Sequence, residues 1–430
     1  MSSPYQTVAL HTLGCKVNFT ETSTLSNDFL MNGFSVVPFE EYADIYVINT
    51  CSVTENANIK CEKIVRSLKR KNPDSFIVVT GCYAQLKPKE LSNNKKIDLV
   101  IGTENKMDIV EIILSNHRDK KTFVTDINDV HEFKPSYSLS DRVRSFIKVQ
   151  DGCNYNCSFC TIPMARGRSR SATIDDVISI TGSLKDKGFN EIVLSGINLG
   201  DFGEGKPSFS FYNLLKMLEL RSDIPRIRIS SIEPNLLTTE IIDLLSQSEK
   251  FMPHLHIPLQ SGSNRILKLM KRRYTKEYYT DKINLIKQKI PHISIGVDVI
   301  TGFPSETEED FLETYDLLNN LQVSYLHVFP YSERENTDGA MLKPNISKEI
   351  RVKRSKILRE LSCILKSRFI INNMLREHRV LIEGFDGKIA HGYTENYIKV
   401  KIENSCLRVN QLVSIKPTIN NSEYLIGDLV

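Results

Sequence analysis

The 430-residue chain has no apolar run as long as the about 18 residues that a bilayer-spanning helix needs. An integral membrane protein is therefore not expected. Its opening, MSSPYQTVALHTLGC, lacks the charged lead, long apolar stretch and small-residue cleavage site of a secretory signal, and no hydrophobic C-terminal segment follows. A cytoplasmic protein with no membrane partner is expected. Neither charge sign dominates: 56 Lys and Arg against 52 Asp and Glu leave a net +4, too little to identify a nucleic-acid binder. The most telling lack is a fourth ligand. The stretch KVQDGCNYNCSFCTIPMARGRSRS, Lys148 to Ser171, places Cys153, Cys157 and Cys160 in a C-x3-C-x2-C array. After Cys160 no cysteine appears until Cys363 and no histidine until His254, whereas closed zinc and iron–sulfur sites take four protein ligands.

What is present suits a soluble α/β protein of about three domains, at roughly 150 residues each. Hydrophobic residues make up 40% and charged residues 25%, ordinary values for globular chains. Three runs before Ser115 end alike: TVALHTLGC at Cys15, ADIYVINTC at Cys51 and SFIVVTGC at Cys82. Each is a β-rich run, a small or turn residue, a cysteine, then a helical pattern, the mark of βα units on a parallel sheet. Strand C-terminal ends share one edge there, where open α/β folds place ligands, so the three cysteines are expected to meet. A polar stretch, Asp126 to Leu139, reads as a linker. Beyond it six strand candidates alternate with helical patterns: RSFIKVQDGC, EIVLSGINLG, RIRISSIEP, HLHIPLQSGS, ISIGVDVITGFP and VSYLHVFPYS. Six βα units suit an incomplete (β/α)6 barrel with its site at the C-terminal mouth. A long basic helix, about Ser347 to Glu377, leads into short strands with closely spaced turns, a small β-barrel. The expected domains are 4–120, 140–370 and 372–430.

Four stretches concentrate basic residues: Lys60 to Lys71, Ala165 to Arg170, Lys268 to Lys276 and Lys348 to Phe369. Singly each reads as a solvated helix face; together they suggest a polyanion surface. The terminal segment does not, with seven basic against seven acidic residues between Asn372 and Val430. Clustered cysteines in a reducing compartment point to metal rather than disulfide chemistry, and thiolates favour iron–sulfur over magnesium or calcium. Zinc would need a distant fourth ligand or water. Three thiolates on a four-iron, four-sulfur cluster leave one iron open to a small molecule. Cys61, Cys363 and Cys406 fall outside both triples and read as packing residues.

The C-x3-C-x2-C array at the end of a first barrel strand resembles the signature of radical S-adenosylmethionine enzymes. The resemblance implies that Cys153, Cys157 and Cys160 ligate a [4Fe-4S] cluster whose open iron binds S-adenosylmethionine and cleaves it to a 5′-deoxyadenosyl radical. It makes Phe159 the bulky residue before the last cysteine. LSGINLG, with Ser195, Gly196 and Asn198, resembles the motif that holds the methionine amine. Ser231 and Glu233 of SSIEP are expected as polar partners of methionine or ribose, and Gln260 of IPLQSGS and Asp298 of GVDVITGFP near the adenine. As alternatives, Gly196 is a turn glycine and Glu233 a helix-entry residue before Pro234.

TLGCKVN, NTCSVT and TGCYAQ ahead of that array, with a terminal barrel, resemble the methylthiotransferase family over nearly the whole chain. The resemblance implies that Cys15, Cys51 and Cys82 ligate a second [4Fe-4S] cluster carrying the sulfur, so that all six cysteines are catalytic, and that the last domain is a TRAM domain contacting tRNA. The implied reaction consumes two S-adenosylmethionine molecules per turnover, with a flavodoxin or ferredoxin as electron donor and a separate sulfur donor. TLGCKVN and IPMARGRSRS are most similar to the branch acting on N6-threonylcarbamoyladenosine in the tRNA anticodon stem-loop. Other branches act on N6-isopentenyladenosine or a ribosomal-protein aspartate. Arg166, Arg168 and Arg170 are candidates to meet the threonylcarbamoyl carboxylate, or else phosphate or acidic side chains. Two competing readings are a non-enzymatic iron–sulfur RNA-binding protein and a radical enzyme using the N-terminal cluster as an electron relay.

Overall fold

The computed structural model describes residues 6–52, 55–115, 121–139, 143–203, 208–403, 406–420 and 423–430. Val53 and Thr54 of the NTCSVT stretch lie outside them. The first layer is a sheet of β1 (Thr7–Thr12), β2 (Ser35–Val36), β3 (Ile45–Thr50), β4 (Phe76–Gly81), β5 (Leu99–Ile101) and β6 (Thr122–Phe123). Its order is β2-β1-β3-β4-β5-β6, all neighbours parallel. Every residue of β3, IYVINT, is buried, as a central strand covered on both faces requires. Alternate side chains sort into two cores: Tyr46, Ile48, Ile77 and Val79 on one face, Ile45, Val47, Val78 and Leu99 on the other. This doubly wound order reverses direction between β1 and β3, and crevices form outside the strand ends at such a switch point. Cys15 and Cys51 follow those two strands.

The stretch read as a linker is more ordered than its composition suggests. Within it, β7 (Ser136–Tyr137) pairs antiparallel with β8 (Arg144–Lys148). The Ser136 and Thr20 hydroxyls lie 2.9 Å apart and Thr24 Oγ1 donates to the Tyr137 carbonyl at 3.2 Å, tying the segment to α1 (Lys16–Met31). Small hydroxyl side chains, which mimic loop composition, here serve as the seam between two layers.

A ribbon of β9 (Gln150–Asp151) and β10 (Arg170–Ser171) closes the base of the cysteine loop. Strands β11 (Glu191–Ser195), β12 (Arg226–Ile229), β13 (His254–His256), β14 (Ser294–Thr301) and β15 (Tyr325–Pro330) complete six parallel strands with β8. β8, β11 and β12 pair in one group and β13, β14 and β15 in another, joined by the bridges Ile227↔Phe251 and Ser231↔His256. The far edge of β15 is covered by the helix Lys348–Asn372, whose Ser362 hydroxyl accepts from Leu326 N at 2.8 Å. That helix stands where a closing strand would, which keeps the barrel incomplete and its edge protected.

The chain ends in a closed barrel of β16 (His378–Asp386), β17 (Ile389–Thr394), β18 (Lys399–Glu403), β19 (Leu412–Asn420) and β20 (Leu425–Leu429), ordered β16-β17-β18-β20-β19. It docks under the larger barrel through buried arginines. Arg226 and Arg228 bond Glu191 at 2.6 and 2.7 Å and also donate to the carbonyls of Arg379, Thr394 and Glu395. Burial alone raises the Glu191 pKa, but Arg228, Arg226 and Arg144 outweigh it and hold the carboxylate at about 2. No helix among the described residues is long and apolar enough to cross a membrane.

Candidate functional site

The three N-terminal cysteines follow strands β1, β3 and β4 at one edge of the sheet, and a glycine precedes two of them. Gly14 has φ +107°, and a Cβ there would lie 2.5 Å from Cys51 Cβ and 2.9 Å from its Sγ. The Cys15 loop therefore touches Cys51. Gly81, at φ +94°, leaves 2.4 Å between such a Cβ and the Thr50 carbonyl, so Cys82 starts its helix α3 (Cys82–Leu86) beside the end of β3. (The second helix, α2, spans Glu55–Lys71.) Asn18 locks the pair: its side-chain NH2 donates to the carbonyls of Leu13 at 2.8 Å and Thr50 at 2.9 Å. Cys51 and Cys82 are buried, while Cys15 is exposed. Gly81→Ala has neither the φ nor the space that L side chains need. For a cluster on the expected N-terminal triple, this variant should lose that cluster's iron and keep the iron of the other, read by iron analysis after reconstitution.

The second triple lies on the loop leaving β9. Gly152, at φ +72°, admits the Arg168 carbonyl where a Cβ would stand at 2.0 Å, and Cys153 N donates to the Gly167 carbonyl at 3.0 Å. Tyr155 N donates to Cys153 Sγ at 3.4 Å and Arg272 Nη1 to Cys157 Sγ at 3.1 Å. Burial pushes the Cys153 and Cys160 thiols up to about 12, and the neighbouring sulfurs push the same way. Three sulfurs in mutual electrostatic reach, with N–H donors aimed at two of them, form a soft donor set that a positively charged iron core would stabilise as thiolates. Among the described residues no three His, Cys, Asp or Glu side chains converge on a single-ion position.

Arg272 is the functional candidate that sequence reading missed; it lay within KLMKRRYTK, taken as a basic patch. Its Nη2 pairs with Glu233. The expected cofactor contact Glu233 is thus committed to a guanidinium that itself touches Cys157, an expected cluster ligand. A buried cation beside a thiolate stabilises added negative charge. Arg272→Met should shift the reduction potential of a cluster held by the expected ligands Cys153, Cys157 and Cys160 tens of millivolts more negative, measured by EPR-monitored redox titration.

The other expected cofactor residues fall into two groups. Gln150 accepts from Ile197 N at 2.8 Å and Asn198 N at 2.9 Å and donates to the Gly152 carbonyl at 2.8 Å. It thereby ties the loop of Ser195, Gly196 and Asn198 to the cysteine loop, a role its position within KVQDGC did not reveal. Ser195 is buried with its hydroxyl on the Val193 carbonyl at 3.3 Å, and the Asn198 amide binds Asp201 at 2.8 Å. Gly196 is packed against Gln150 and Leu199 with no room for a Cβ. Phe159, Cys160, Gln260 and Asp298 line one cavity of about 240 Å³ with Phe329 and Tyr331; Gln260 adopts φ +68° there. Ser231, half-buried, bridges to His256.

Arg166 is not placed to meet a substrate. It is wholly buried, with Nη1 on Asp151 at 2.8 Å and Glu21 at 3.0 Å and Nη2 on Asn18. Burial alone lowers its pKa; Asp151, Glu21, Cys82 and Cys15 outweigh that and hold it firmly charged. Glu21 is shared with Lys106 at 2.7 Å and Lys148 at 3.4 Å. The helix that follows Cys160 is thus bolted to the helix that follows Cys15 by one buried ion network. Arg170 is likewise turned inward, its Nη1 on the carbonyls of Arg166 and Arg168 at 2.8 and 2.9 Å. Arg168 alone of the three is exposed.

Comparison with known proteins accords with this geometry. Residues 147–318 match the Radical SAM superfamily, and residues 7–102 match the Uncharacterized protein family UPF0004. The Threonylcarbamoyladenosine tRNA methylthiotransferase MtaB of Aquifex aeolicus is 42% identical, covering 92% of this chain and 96% of that protein. The protein of the same name from Bacillus subtilis is 39% identical, covering 99% and 96%. The tRNA-2-methylthio-N(6)-dimethylallyladenosine synthase of Carboxydothermus hydrogenoformans is 34% identical, covering 97% and 98%. Among solved structures, the radical S-adenosylmethionine methyltransferase TsrM of Kitasatospora setae aligns with TM-score 0.57 at 14% identity, over 78% of this chain and 77% of that one, a likeness of fold.

Proposed function

The chain belongs to the tRNA methylthiotransferase family of radical S-adenosylmethionine enzymes, and from that premise we propose that it converts N6-threonylcarbamoyladenosine beside the tRNA anticodon into its 2-methylthio derivative. Full-length similarity to two enzymes named for that substrate, at 42% and 39% identity, carries the substrate choice.

The cofactors are two [4Fe-4S] clusters and S-adenosylmethionine. When bound, they supply an electron to cleave the sulfonium and a sulfur for insertion at a carbon of no useful acidity. We assign Cys153, Cys157 and Cys160 to one cluster and Cys15, Cys51 and Cys82 to the other. Gln150 fixes the Ser195–Asn198 loop against the first cysteine loop, where the methionine end of the cofactor would lie. Phe159, Gln260 and Asp298 wall the cavity beside Cys160, and Arg272 sets the charge at Cys157. The Arg166 network holds the two cysteine loops at one separation, and a short-lived radical requires its trap already positioned. A flavodoxin or ferredoxin as electron donor, a separate sulfur donor, tRNA contact by the terminal barrel as a TRAM domain, and domain limits of 4–120, 140–370 and 372–430 belong to the same proposal.

The test is turnover by reconstituted protein on two anticodon stem-loops, one bearing threonylcarbamoyladenosine and one isopentenyladenosine. We expect a 2-methylthio product from the first and little from the second; the reverse preference would move the chain to the other branch.

A further inference from the structure

The segment that carries Arg272 to Cys157 also builds a basic edge on the outside of the protein. The short helix Asn264–Leu269 ends in a turn in which Lys271 N donates to the Lys268 carbonyl at 3.0 Å and Arg272 N to the Leu267 carbonyl at 2.9 Å, the paired bonds of a Schellman cap. The left-handed position of that cap, usually a glycine, is Lys271, at φ +58°. The turn sends the Arg272 side chain inward to Cys157 and Glu233 and leaves Lys268, Lys271 and Arg273 exposed.

This edge is fastened to the second cysteine loop along its length. Ser158, the residue after Cys157, donates from N to the Met270 carbonyl at 3.1 Å and from Oγ to the Leu269 carbonyl at 2.8 Å. Arg273 Nη2 donates to the Asn154 carbonyl at 3.3 Å, and its guanidinium lies 3.8 Å from the centre of the Tyr155 ring. Asn156, between Tyr155 and Cys157, is exposed. Nearby acids are engaged: Asp338 by Lys271, Asp310 by Arg265, Glu313 by Lys276, Glu233 by Arg272 and Glu277 by the Asn264 amide. Lys268 and Arg273 pair with no carboxylate among the described residues, so a positive surplus stands beside the loop.

Reductive cleavage of S-adenosylmethionine takes one electron per molecule cleaved, and electron transfer slows steeply with distance. Its source must therefore dock close to the cysteine loop. Resting on the function proposed above, we propose that the Lys268–Arg273 edge is the docking face for a small acidic one-electron carrier, which is oxidised by one electron as the cluster proposed on Cys153, Cys157 and Cys160 is reduced by one. Opposite charge speeds the encounter and sets its orientation, in the small, weak contact that redox partners use. The bonds from Ser158 to the carbonyls of Leu269 and Met270 give a short link from that face to Cys157. A lysine in a left-handed cap costs stability that glycine would not, and a partner that reads its charge accounts for it.

The test uses the full-length reconstituted protein with an acidic flavodoxin as probe, in wild type, Lys268→Glu and Lys271→Gly. Calorimetry with oxidised flavodoxin gives the Kd without turnover. Wild-type affinity should fall as salt is raised, and each variant should weaken it by about fivefold or more. Lys271→Gly should do so without lowering the melting temperature, because glycine suits the cap. 5′-Deoxyadenosine formation driven by dithionite, which needs no docking face, should equal wild type in both variants, whereas the flavodoxin-driven rate should fall. Flavodoxin affinity absent in wild type, or unchanged in both variants, would overturn the inference. So would weakened anticodon stem-loop binding at unchanged flavodoxin affinity, which would assign the edge to RNA, or equal loss under both reductants, which would assign it to upkeep of the cysteine loop. A wild type that binds flavodoxin and cleaves S-adenosylmethionine but forms no methylthio product would remove the proposed function and leave the docking face standing.

Discussion

Cys51→Ala should abolish the methylthio product while leaving S-adenosylmethionine cleavage in place. The residue is buried where Gly14, Cys15 and the end of β3 meet, so alanine removes a sulfur with little change of shape. Iron in the reconstituted protein should fall from roughly eight atoms per chain to roughly four, the content of one cubane cluster. 5′-Deoxyadenosine should still form, because Cys153, Cys157 and Cys160 belong to a separate loop. Cys157→Ala should instead abolish both 5′-deoxyadenosine and the methylthio product at the same iron loss. This asymmetry separates a sulfur-carrying cluster from an electron relay: a relay variant would lose 5′-deoxyadenosine as well. Iron analysis and chromatography of the small products read both variants in one preparation.

Arg166→Ala should cost the most stability of any substitution named here. It leaves Glu21 and Asp151 buried without the guanidinium that each shares, and breaking a buried ion pair by removing one partner costs about 3–5 kcal/mol. Lys106 and Lys148 remain on Glu21, which limits the loss. Arg166→Lys keeps the charge but cannot span Asp151, Glu21 and Asn18 together; it should fold, retain both clusters and cleave S-adenosylmethionine with poor coupling to product. The network also fixes a pH dependence. Burial raises both carboxyls, but Arg166 with Lys106 and Lys148 holds Glu21 well below its ordinary value, and Arg166 with Lys148 holds Asp151 at about 2. Depressed carboxylates bind fewer protons folded than unfolded, so their contribution is full above about pH 4.5 and is lost as pH falls toward 2. Thermal melting from pH 7 to pH 3 should show a steeper loss in wild type than in Arg166→Ala.

Much of this arrangement is legible in one sequence, because it rests on periodicity and on cysteine. The runs ending at Cys15, Cys51 and Cys82 announce parallel strands, and strand ends of a parallel sheet share an edge whatever lies between them. The six barrel strands follow from the same rhythm. What is hidden is pairing across distance. Arg166, Arg168 and Arg170 look alike in ARGRSR, yet Arg166 is buried on Glu21, 145 positions away, and Arg168 is exposed. Nothing local distinguishes them, because a guanidinium's role is decided by the carboxylates the fold brings to it. Arg272 was hidden for the same reason. Gln150 carries no chemical signature, and its bonds to Ile197 N and Asn198 N exist only once β11 stands beside β8. The polar segment around Ser136 misled in the other direction: hydroxyl-rich composition reads as loop until α1 supplies its partners.

The most direct test of the whole account is mass spectrometry of tRNA nucleosides from cells carrying the gene, cells without it, and cells complemented with wild type or Cys15→Ala. Loss of 2-methylthio-N6-threonylcarbamoyladenosine without the gene, restored by wild type and not by Cys15→Ala, is the predicted result. Persistence of that nucleoside in cells without the gene, or its restoration by Cys15→Ala, would contradict the substrate or the second cluster respectively.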